Sequence, residues 1–590
     1  MVESFLIAAL LSVTQADPAE AEAAVEAVVA TPVAPATADI VPDDEEPIAD
    51  TYATSLLDYQ VAQVTRLDVA DGRTRVSVEN NAPAARSGSM PVRFFVDNTT
   101  GPTGVITFTI RATIGGSMHS VSRGVEVKAG ERTTVTVPVP HELRYGSVSA
   151  DGPGIANNSN AQMYFQSTYD PQRVVLSISR PEQFEKFVGK APRYSGANVF
   201  VHAIPPKEAP GELASYLGYD VVVVPDAAIF DELDGSARQA VEAFVATGGH
   251  LLIGGEVRNA ALFPMAKTPS AGTTSYGFGR IFVSNGAPDD KLAVFRPQLL
   301  VNPQGPVPDY ERRYNQGSVK ATLLPQATAP LGRFLFIITL FTLAIGPGSI
   351  WVARRRGPAA LLVTIPATAF VTCAAIITYS LVADGFTVHA SSYSYTLLDS
   401  KQHRVITEGL TAYYANLAPS KATLPPGTML VAPWEDRRER YVADLKWKDG
   451  LTLGGDFVPS RTYREWGFVS VEPSRARVVV KRKGNGYVLQ NALGVKVDTI
   501  MVNVDGNFFT GGPVRDGGEV ELAAGNPLNW SGNPASNRFD TRVSQVVVTK
   551  PLQHLEFLAK LEGGQGLLPD GDIALEQDSG EHWVRGGFEE

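Results

Sequence analysis

The sequence predicts a multidomain α+β protein: a β-sandwich, an open α/β domain, a transmembrane helical hairpin and a C-terminal β-sandwich. The chain has 590 residues, whereas a single hydrophobic core stops growing at roughly 250 to 300 residues. Its 54 Gly and 41 Pro, with only 19% charged residues, favour many short strands joined by turns. Two long apolar runs in the middle of the chain separate two strand-rich regions.

Charge and cysteine content exclude several classes of function. The net charge of −11 and the lack of a long basic run argue against nucleic acid as a partner, because phosphate binding needs clustered Lys and Arg. The single cysteine, Cys373, lies inside an apolar run, so the chain forms no internal disulfide and no Cys-based zinc site. The 8 histidines show no pair at the spacing of a helical metal site. We therefore expect no metal and no cofactor.

The N-terminus has the pattern of a secretory signal peptide over residues 1–16. An apolar run from Phe5 to Val13 precedes the small residue Ala16, as such segments require, although Glu3 stands where they carry Lys or Arg. The alternative is a short hydrophobic cap on a disordered tail. Residues 17–54 are rich in Ala, Pro, Asp and Glu, so we predict a disordered linker there.

Residues 55–170 are predicted to form the first β-sandwich. Short runs that alternate between apolar and polar residues are separated by turn residues, at the spacing that an immunoglobulin-like sandwich shows. Domains of this kind bind or space partners more often than they catalyse reactions. The runs are Arg75–Val78, Pro91–Val96, Val105–Ile110 and Thr133–Val139.

Residues 171–325 change period and predict an open α/β domain. A helix is expected over Ser236–Thr247, with Ser236 and Gln239 at the spacing of a capping box and glycines after its end. Strand, helix and strand in this order form a crossover unit of a parallel sheet. The continuous apolar runs that predict buried parallel strands are Val174–Ile178, Asn198–Ile204, Tyr219–Val224 and His250–Gly255.

Two of these stretches, 219–226 and 240–255, resemble the class I glutamine amidotransferase-like fold, a flavodoxin-like α/β architecture. In catalytic members the strand that corresponds to 250–255 runs into an elbow that carries a nucleophilic Cys. This chain has Gly254-Gly255-Glu256 there and no G-x-S-x-G elbow. The resemblance therefore implies a catalytically empty domain.

Asp226 and Glu256 are the weak ligand-binding candidates in this domain. Both follow predicted strands, and ligands of open α/β sheets bind at the carboxyl ends of strands. The alternative is that they are solvated or turn-capping carboxylates. No catalytic residue is predicted.

The strongest membrane signals are two apolar runs, predicted as transmembrane helices 333–353 and 359–383. Each is long enough to cross about 30 Å of hydrocarbon. Arg354, Arg355 and Arg356 lie in the short connection, which the positive-inside rule places in the cytoplasm. We therefore expect two spans in the inner (plasma) membrane, with both large regions extracytoplasmic. A kink is expected at 346–348, and a buried two-helix core in a soluble protein is the alternative.

The hairpin and its surroundings resemble a family of uncharacterised bacterial membrane proteins that combine a β-sandwich, an amidotransferase-like domain and a two-helix hairpin. The similarity rests on Ile345–Gly348, Arg354-Arg355, Thr364–Pro366 and Val388–Tyr414. Members are thought to work beside ATPases or transport systems in the envelope. The resemblance thus implies the lipid bilayer and envelope proteins, such as an ATPase-linked or transport complex, as partners.

Residues 384–590 again read as β-rich, and we predict a second, extracytoplasmic sandwich. Asp570-Gly571-Asp572 lacks the later positions of a calcium loop, so a turn is expected there. The strand-like runs are Ala476–Lys481, Gly486–Leu489, Asp498–Val504 and Gly518–Leu522.

These features favour a membrane-anchored binding or scaffold protein without catalytic activity. One alternative is an envelope hydrolase that uses the strand-end pocket of the α/β domain. Another is an accessory subunit of a transport system. After Arg333 at the start of the first span, neither predicted span contains Asp, Glu, Lys, Arg or His, so transport by this chain alone has no internal relay.

Overall fold

The computed structural model describes residues 59–589 with gaps. The predicted signal peptide, residues 1–16, and the linker, residues 17–54, lie outside the described residues. The undescribed internal positions are 86–87, 115–116, 144, 159–160, 167–172, 181, 184–198, 258–259, 266–271, 285–321, 325–330, 384–386, 420, 432–443, 449, 455–456, 526–538, 540, 565 and 570.

The first region consists of strands, as the sequence predicted; buried and exposed residues alternate along β5, whereas β4 is buried over most of its length. Phe94 and Phe108 come from its two antiparallel sheets, and their ring centroids lie 4.7 Å apart. The two sheets therefore pack face to face as a β-sandwich. The strands are β1 (Tyr59–Val61), β2 (Thr65–Gly72), β3 (Arg75–Asn80), β4 (Ser89–Asn98), β5 (Gly104–Ile114), β6 (Ser117–Val127), β7 (Glu131–Pro140), β8 (Tyr145–Asp151), β9 (Ile155–Asn158) and β10 (Ala161–Tyr164).

The second region is an open α/β sheet with short helices. Val221–Val224 is buried throughout, which explains its unbroken apolar sequence. The elements are β11 (Arg173–Ile178), β12 (Val199–Ile204), 3₁₀ turns at Pro206–Glu208 and Leu213–Ser215, β13 (Val221–Val224), α1 (Ile229–Glu232), α2 (Gly235–Ala246), β14 (His250–Gly254), a 3₁₀ turn at Ala260–Leu262, β15 (Gly272–Tyr276) and β16 (Gly279–Ser284).

The sheet of this region has the order β1-β12-β11-β13-β14-β16-β15, and every pair except β15–β16 is parallel. β1, which lies in the segment predicted as the sandwich, is thus an edge strand of the α/β sheet.

The expected capping box at the start of α2 is wrong. The helix begins at Gly235 after Asp234, and Asp234 makes no side-chain cap hydrogen bond. The helix end before the two glycines is as predicted.

The middle of the chain is helical and apolar. α3 (Leu331–Leu343) continues through a π turn (Ala344–Gly348) into α4 (Ser349–Arg356), and α5 (Leu361–Ala383) follows a 3₁₀ turn (Pro358–Ala360). The π turn contains Pro347, so the expected irregularity takes this form. Within the described residues, one helix, Pro358–Thr378, is long and apolar enough to cross a membrane, and none of it is buried in the protein.

In its described parts, the third region adds fourteen strands and a short helix. They are β17 (Val388–Asp399), β18 (Arg404–Ala415), β19 (Ala422–Leu424), β20 (Thr428–Val431), β21 (Leu445–Trp447), β22 (Leu451–Leu453), β23 (Tyr463–Pro473), β24 (Arg477–Lys483), β25 (Gly486–Ala492), β26 (Val497–Val504), β27 (Asn507–Gly511), β28 (Glu519–Ala524), α6 (Thr541–Ser544) with a π turn at Gln545–Thr549, β29 (Glu556–Leu561) and β30 (Leu575–Gly587).

Most of these strands form one 11-stranded sheet, in the order β20-β23-β18-β17-β30-β29-β26-β27-β28-β25-β24. β28 pairs with both β25 and β27, which joins two sets of strands into a single sheet. Leu489, Ile500 and Phe557 belong to a second buried core built by this part of the chain.

A sheet also crosses the boundary between the first and third regions. Its order is β10-β8-β5-β6-β21-β22-β19. β21 pairs in parallel with β6, and Leu445 lies opposite Val121. The segments predicted as separate domains, 55–170 and 384–590, thus share one sheet although the helices lie between them in sequence.

Candidate functional site

The two sequence-predicted ligand residues lie at neighbouring strand ends, as the sequence indicated, but in solvent. Asp226 follows β13 and is exposed; its Oδ1 accepts a hydrogen bond from the amide of Ala228 at 2.9 Å. It therefore caps the turn before α1. Glu256 follows β14 and is exposed beside Gly255, whose φ is +89°. Neither residue lines the clefts described below.

A cleft of about 1050 Å³ opens between the five-stranded sheet of the sandwich and the segment that follows β12. Strands β2, β3, β4 and β7 supply one wall, because side chains at alternate positions of these paired strands point to the same face. The 3₁₀ turns after β12 supply the other wall. The charged residues that line the cleft are Arg66, Asp68, Arg75, Asp97, Arg123, Arg132, Lys207, Glu208, Glu212 and Asp234.

Five cations and five acids line this cleft, so their formal charges balance, but three of the cations are not held in ion pairs. Among the described residues, Arg66, Arg75 and Lys207 have no ion-pair partner. The guanidinium carbon of Arg66 lies 3.7 Å from the centre of the Phe95 ring, a stacking contact that holds its N–H groups in place. The cleft therefore offers cationic donors, one of which is held by stacking on an aromatic ring.

Ser215 adds a buried polar group to the cleft wall. The residue is 0% exposed, and its Oγ has no hydrogen-bond partner among the described residues. A buried hydroxyl without a partner costs free energy. A ligand or an ordered water that hydrogen-bonds to Ser215 removes this cost.

Ion pairs fix the two walls to each other. Arg93 on β4 pairs with Glu208 at 2.7 Å across the cleft. Arg123 on β6 makes a bidentate contact with Glu212. A ligand in the cleft thus contacts two regions whose separation is already set.

A buried network lies beside this cleft, between the sandwich and the α/β sheet. Glu79 on β3 contacts Arg93 through both carboxylate oxygens. His202 on β12 places Nε2 2.7 Å from Glu79 and Nδ1 2.6 Å from the hydroxyl of Tyr219. Since a carboxylate only accepts, Nε2 carries a proton and donates it to Glu79. The network joins a strand of each region.

Burial alone would raise the pKa of the Glu79 carboxyl. The hydrogen bonds and positive charges of His202 and Arg93 outweigh burial and lower this pKa to about 2. Burial also raises the pKa of Tyr219, and the charge of Glu79 adds to the effect. Tyr219 therefore stays neutral while Glu79 stays charged, and the network is a fixed structural contact.

A second cleft, of about 690 Å³, lies between α2 and the turn of the β17–β18 hairpin. At its side Arg404 donates two hydrogen bonds of 2.6 Å to Glu242 and one of 3.2 Å to Asp399. The hydroxyl of Tyr276 also donates to Glu242. Because Glu242 lies on α2, this pair fixes the α/β region to the 11-stranded sheet. Partial burial raises the pKa of the Glu472 carboxyl, which lines the same cleft.

The topology-determining arginines lie at the end of α4. Arg354, Arg355 and Arg356 are its last residues, and Gly357, with φ of +83°, ends it. The guanidinium carbon of Arg355 lies 4.2 Å from the ring centre of Trp351. Cys373, which lies on the following helix α5, is exposed.

The cleft and the buried network were not predicted from the sequence. Arg93 interrupts an otherwise apolar strand, and a buried charge of this kind requires a partner. This charged residue in an apolar strand was the one sequence feature that indicated a buried ion pair. Its partners, Glu79 and Glu208, could not be read from the sequence, because Glu79 lies on a neighbouring strand and Glu208 in another region of the chain.

Comparisons with known proteins give no family. No protein-family model and no curated protein matches this chain. A cycloisomaltooligosaccharide glucanotransferase of Paenibacillus sp. aligns at 10% identity over 33% of this chain and 28% of its own, with a TM-score of 0.13. A glycosyl hydrolase family 2 member from Bacteroides cellulosilyticus aligns at 10% identity over 89% of this chain and 79% of its own, with a TM-score of 0.14. Scores this low establish neither a fold nor a function for this chain.

Proposed function

We propose that this protein is a membrane-anchored, extracytoplasmic binding protein without catalytic activity of its own, and that it holds an anionic ligand in the cleft between the sandwich and the α/β region. The observation that carries the binding role is the cleft itself. It combines about 1050 Å³ of space, three cations without an ion pair and the unpartnered hydroxyl of Ser215. Pockets of this size accommodate a small ligand.

The membrane anchor is a two-helix hairpin, 333–353 and 359–383. Apolar side chains on both segments are exposed, such as Phe336 at 69% and Phe370 at 75%. A helix that is apolar on all sides needs either a protein core or lipid around it, and no residue of these helices whose burial is described is buried. Lipid is the remaining environment.

The shared sheet supports an even number of membrane crossings. Hydrogen-bonded strands lie about 4.8 Å apart, whereas the hydrocarbon core is about 30 Å thick. β6 precedes the helices and β21 follows them, yet these strands pair. Both regions are therefore expected on the same side of the membrane. Arg354–Arg356 favour the cytoplasm for the connection between the helices, so in this proposal both regions lie on the extracytoplasmic side of the inner membrane.

The α/β region supports binding rather than chemistry. Its parallel sheet and the glycine with positive φ after β14 agree with the amidotransferase-like resemblance. The chain's one cysteine, Cys373, lies on α5 instead. Members of the envelope family that the sequence resembles work beside ATPases or transport systems, and we extend that partnership to this protein.

The ligand class follows from the charges that remain unpaired. Glu208, Glu212 and Asp97 already pair with arginines across or along the cleft. Arg66, Arg75 and Lys207 are exposed and make no ion pair within the described part of the chain, while Asp68 and Asp234 are the other acids in the lining. Arginine donors of this kind bind carboxylate or phosphate oxygens in bidentate fashion.

The test is a titration of the detergent-solubilised full chain, by calorimetry, with two anionic probes. One probe is a short oligogalacturonate, which carries carboxylates, and the other is a sugar bisphosphate. At least one of them is expected to bind. The Arg66→Ala/Arg75→Ala variant is expected to weaken that binding at least about tenfold, because each charge-assisted hydrogen bond contributes about 1.5–3 kcal/mol.

The matched control is Arg477→Ala/Lys483→Ala, which removes two exposed cations from β24, outside the cleft. It should bind as the wild type does. Equal weakening in this control would mean that only net charge matters. Absence of binding by both probes would contradict the anionic assignment.

A further inference from the structure

The 11-stranded sheet brings one histidine and two carboxylates together where the chain enters it after α5. His389 is the second residue of β17 and lies directly opposite Glu576, the second residue of the parallel strand β30. Asp578, two residues further on, points to the same face as Glu576 because side chains alternate along a strand. Asp578 stands at an irregularity, where Gln577 and Ser579 pair with consecutive residues of β17. Such bulges re-aim a side chain.

The three side chains converge closely. Nδ1 of His389 lies 3.2 Å from Oδ2 of Asp578 and 3.8 Å from Oε2 of Glu576. One ligand atom from each of the three residues lies within 4.8 Å of the others. Donor atoms at the bond lengths of a tetrahedral zinc ion stand about 3.4 Å apart. The cluster therefore already has nearly the spacing that a bound ion requires.

The missing hydrogen bond of the His389 imidazole indicates a ligand. Nδ1 of His389 is buried, yet it makes no hydrogen bond to any residue that the structure describes. It lies near two carboxylates without being aligned as a donor to either of them. Thr387 donates a hydrogen bond of 3.2 Å to Oε2 of Glu576, and a contact of this kind orients a ligating carboxylate.

We propose that His389, Glu576 and Asp578 bind a divalent transition-metal ion, with Zn²⁺ as the best match. One imidazole nitrogen and two carboxylate oxygens suit zinc, whereas calcium and magnesium prefer oxygen ligands throughout. Three protein ligands leave a fourth position for water or for a group from a partner. The ion ties the first residues of β17 to those of β30, directly after the segment that we propose crosses the membrane.

The test uses the full chain in detergent, stripped of metal with a chelator and then titrated with Zn²⁺ alone in a calorimeter. The wild type is expected to bind one equivalent and to unfold at a higher temperature with zinc. Asp578→Asn, which conserves the side-chain volume, is expected to weaken binding by about 10- to 100-fold or more and to abolish the zinc-dependent rise in melting temperature. His389→Ala is expected to do the same.

The control is His554→Ala. His554 is exposed and faces one carboxylate, Asp505, at 3.5 Å, so it resembles the proposed site without the second acid. This variant should keep the wild-type affinity. The proposal is overturned if the wild type binds no zinc, if Asp578→Asn binds as tightly as the wild type, or if His554→Ala loses zinc to the same degree. If His389→Ala does not fold, Asp578→Asn decides.

Discussion

Charged and titratable side chains buried between sheets determine which regions of this protein pack together. Glu79, Arg93 and His202 join the sandwich to the α/β sheet. Glu242 and Arg404 join the α/β region to the 11-stranded sheet. Removing one partner of such a pair leaves an uncompensated buried charge, which typically costs about 3–5 kcal/mol. The contacts between regions are therefore specific rather than merely apolar.

His582 gives the clearest pH-dependent behaviour. It is fully buried in the 11-stranded sheet; its Nε2 donates to the carbonyl oxygen of Gly564 at 2.9 Å, and its Nδ1 lies 2.8 Å from the hydroxyl of Ser394. Burial lowers the pKa of His582 from 6.5 to about 4, against the smaller opposite effect of the Gly564 hydrogen bond. The neutral imidazole satisfies both partners.

The free energy of unfolding should therefore fall as pH decreases from about 6.5 to about 4, because only the unfolded chain takes up a proton on this histidine in that window. At 1.36 kcal/mol per pH unit, the loss is on the order of 3 kcal/mol. Thermal unfolding of the solubilised protein across this range measures it. In His582→Gln, which still donates to Gly564 but does not titrate, the slope should be smaller.

His554→Gln is the control for this prediction, because the His554 side chain is 52% exposed. Its unfolding should follow the wild-type pH profile. An unchanged slope in His582→Gln would show that other groups cause the pH dependence.

At the scale of elements, sequence patterns predicted β11, β12, β13 and β14 of the α/β sheet and much of the sandwich, but not β1, β15 and β16 as members of that sheet. Continuous apolar runs such as 221–224 are typical of strands that are buried on both faces of a parallel sheet, so these strands could be predicted from composition. The start of α2 was wrong by one residue, because Asp234 and Ser236 are both suitable capping residues. Asp226 and Glu256 were correctly placed at strand ends, but strand position alone did not indicate a cleft.

The pairing of β21 with β6 could not be predicted. The strand Leu445–Trp447 has 3 residues, and its partner precedes the apolar helices in the sequence. Local patterns carry no information about pairing at such separation, which depends on the packing of the whole fold. The cleft and the proposed metal cluster are hidden from sequence reasoning for the same reason.

Trp447 tests the importance of this added strand. It is 6% exposed, and its indole Nε1 donates to the carbonyl oxygen of Pro138 on β7 at 2.9 Å. Trp447→Ala is expected to lower the free energy of unfolding by about 3–5 kcal/mol through the cavity that it creates. It should also expose the edge of β6, so limited proteolysis should cleave the sandwich faster.

Lys446→Ala is the matched control on the same strand, because Lys446 is exposed between two buried neighbours. Its effect should stay within about 0.5 kcal/mol. Equal proteolysis of Trp447→Ala and the wild type would mean that β21 does not protect the sandwich.

For the whole molecule, the sequence predicted strand-rich regions on either side of apolar helices, and the structure joins those regions through a shared sheet and buried ion pairs. In the proposed arrangement, the two helices enter and leave the membrane, and the strand-rich regions before and after them form one extracytoplasmic unit. The topology assigned from Arg354–Arg356 and the topology required by strand pairing then agree, although they rest on unrelated physics.

Cysteine labelling tests this arrangement most directly. In a Cys373→Ser background, the variants Met118→Cys, Arg356→Cys and Asp505→Cys are each treated with a membrane-impermeant maleimide on intact spheroplasts. Met118 and Asp505 suit this test because they are 69% and 78% exposed. Positions 118 and 505 should be labelled without permeabilisation, and position 356 only after it. Labelling of 118 and 505 from opposite sides would contradict the shared body, and labelling of 356 alone in intact spheroplasts would contradict its extracytoplasmic placement.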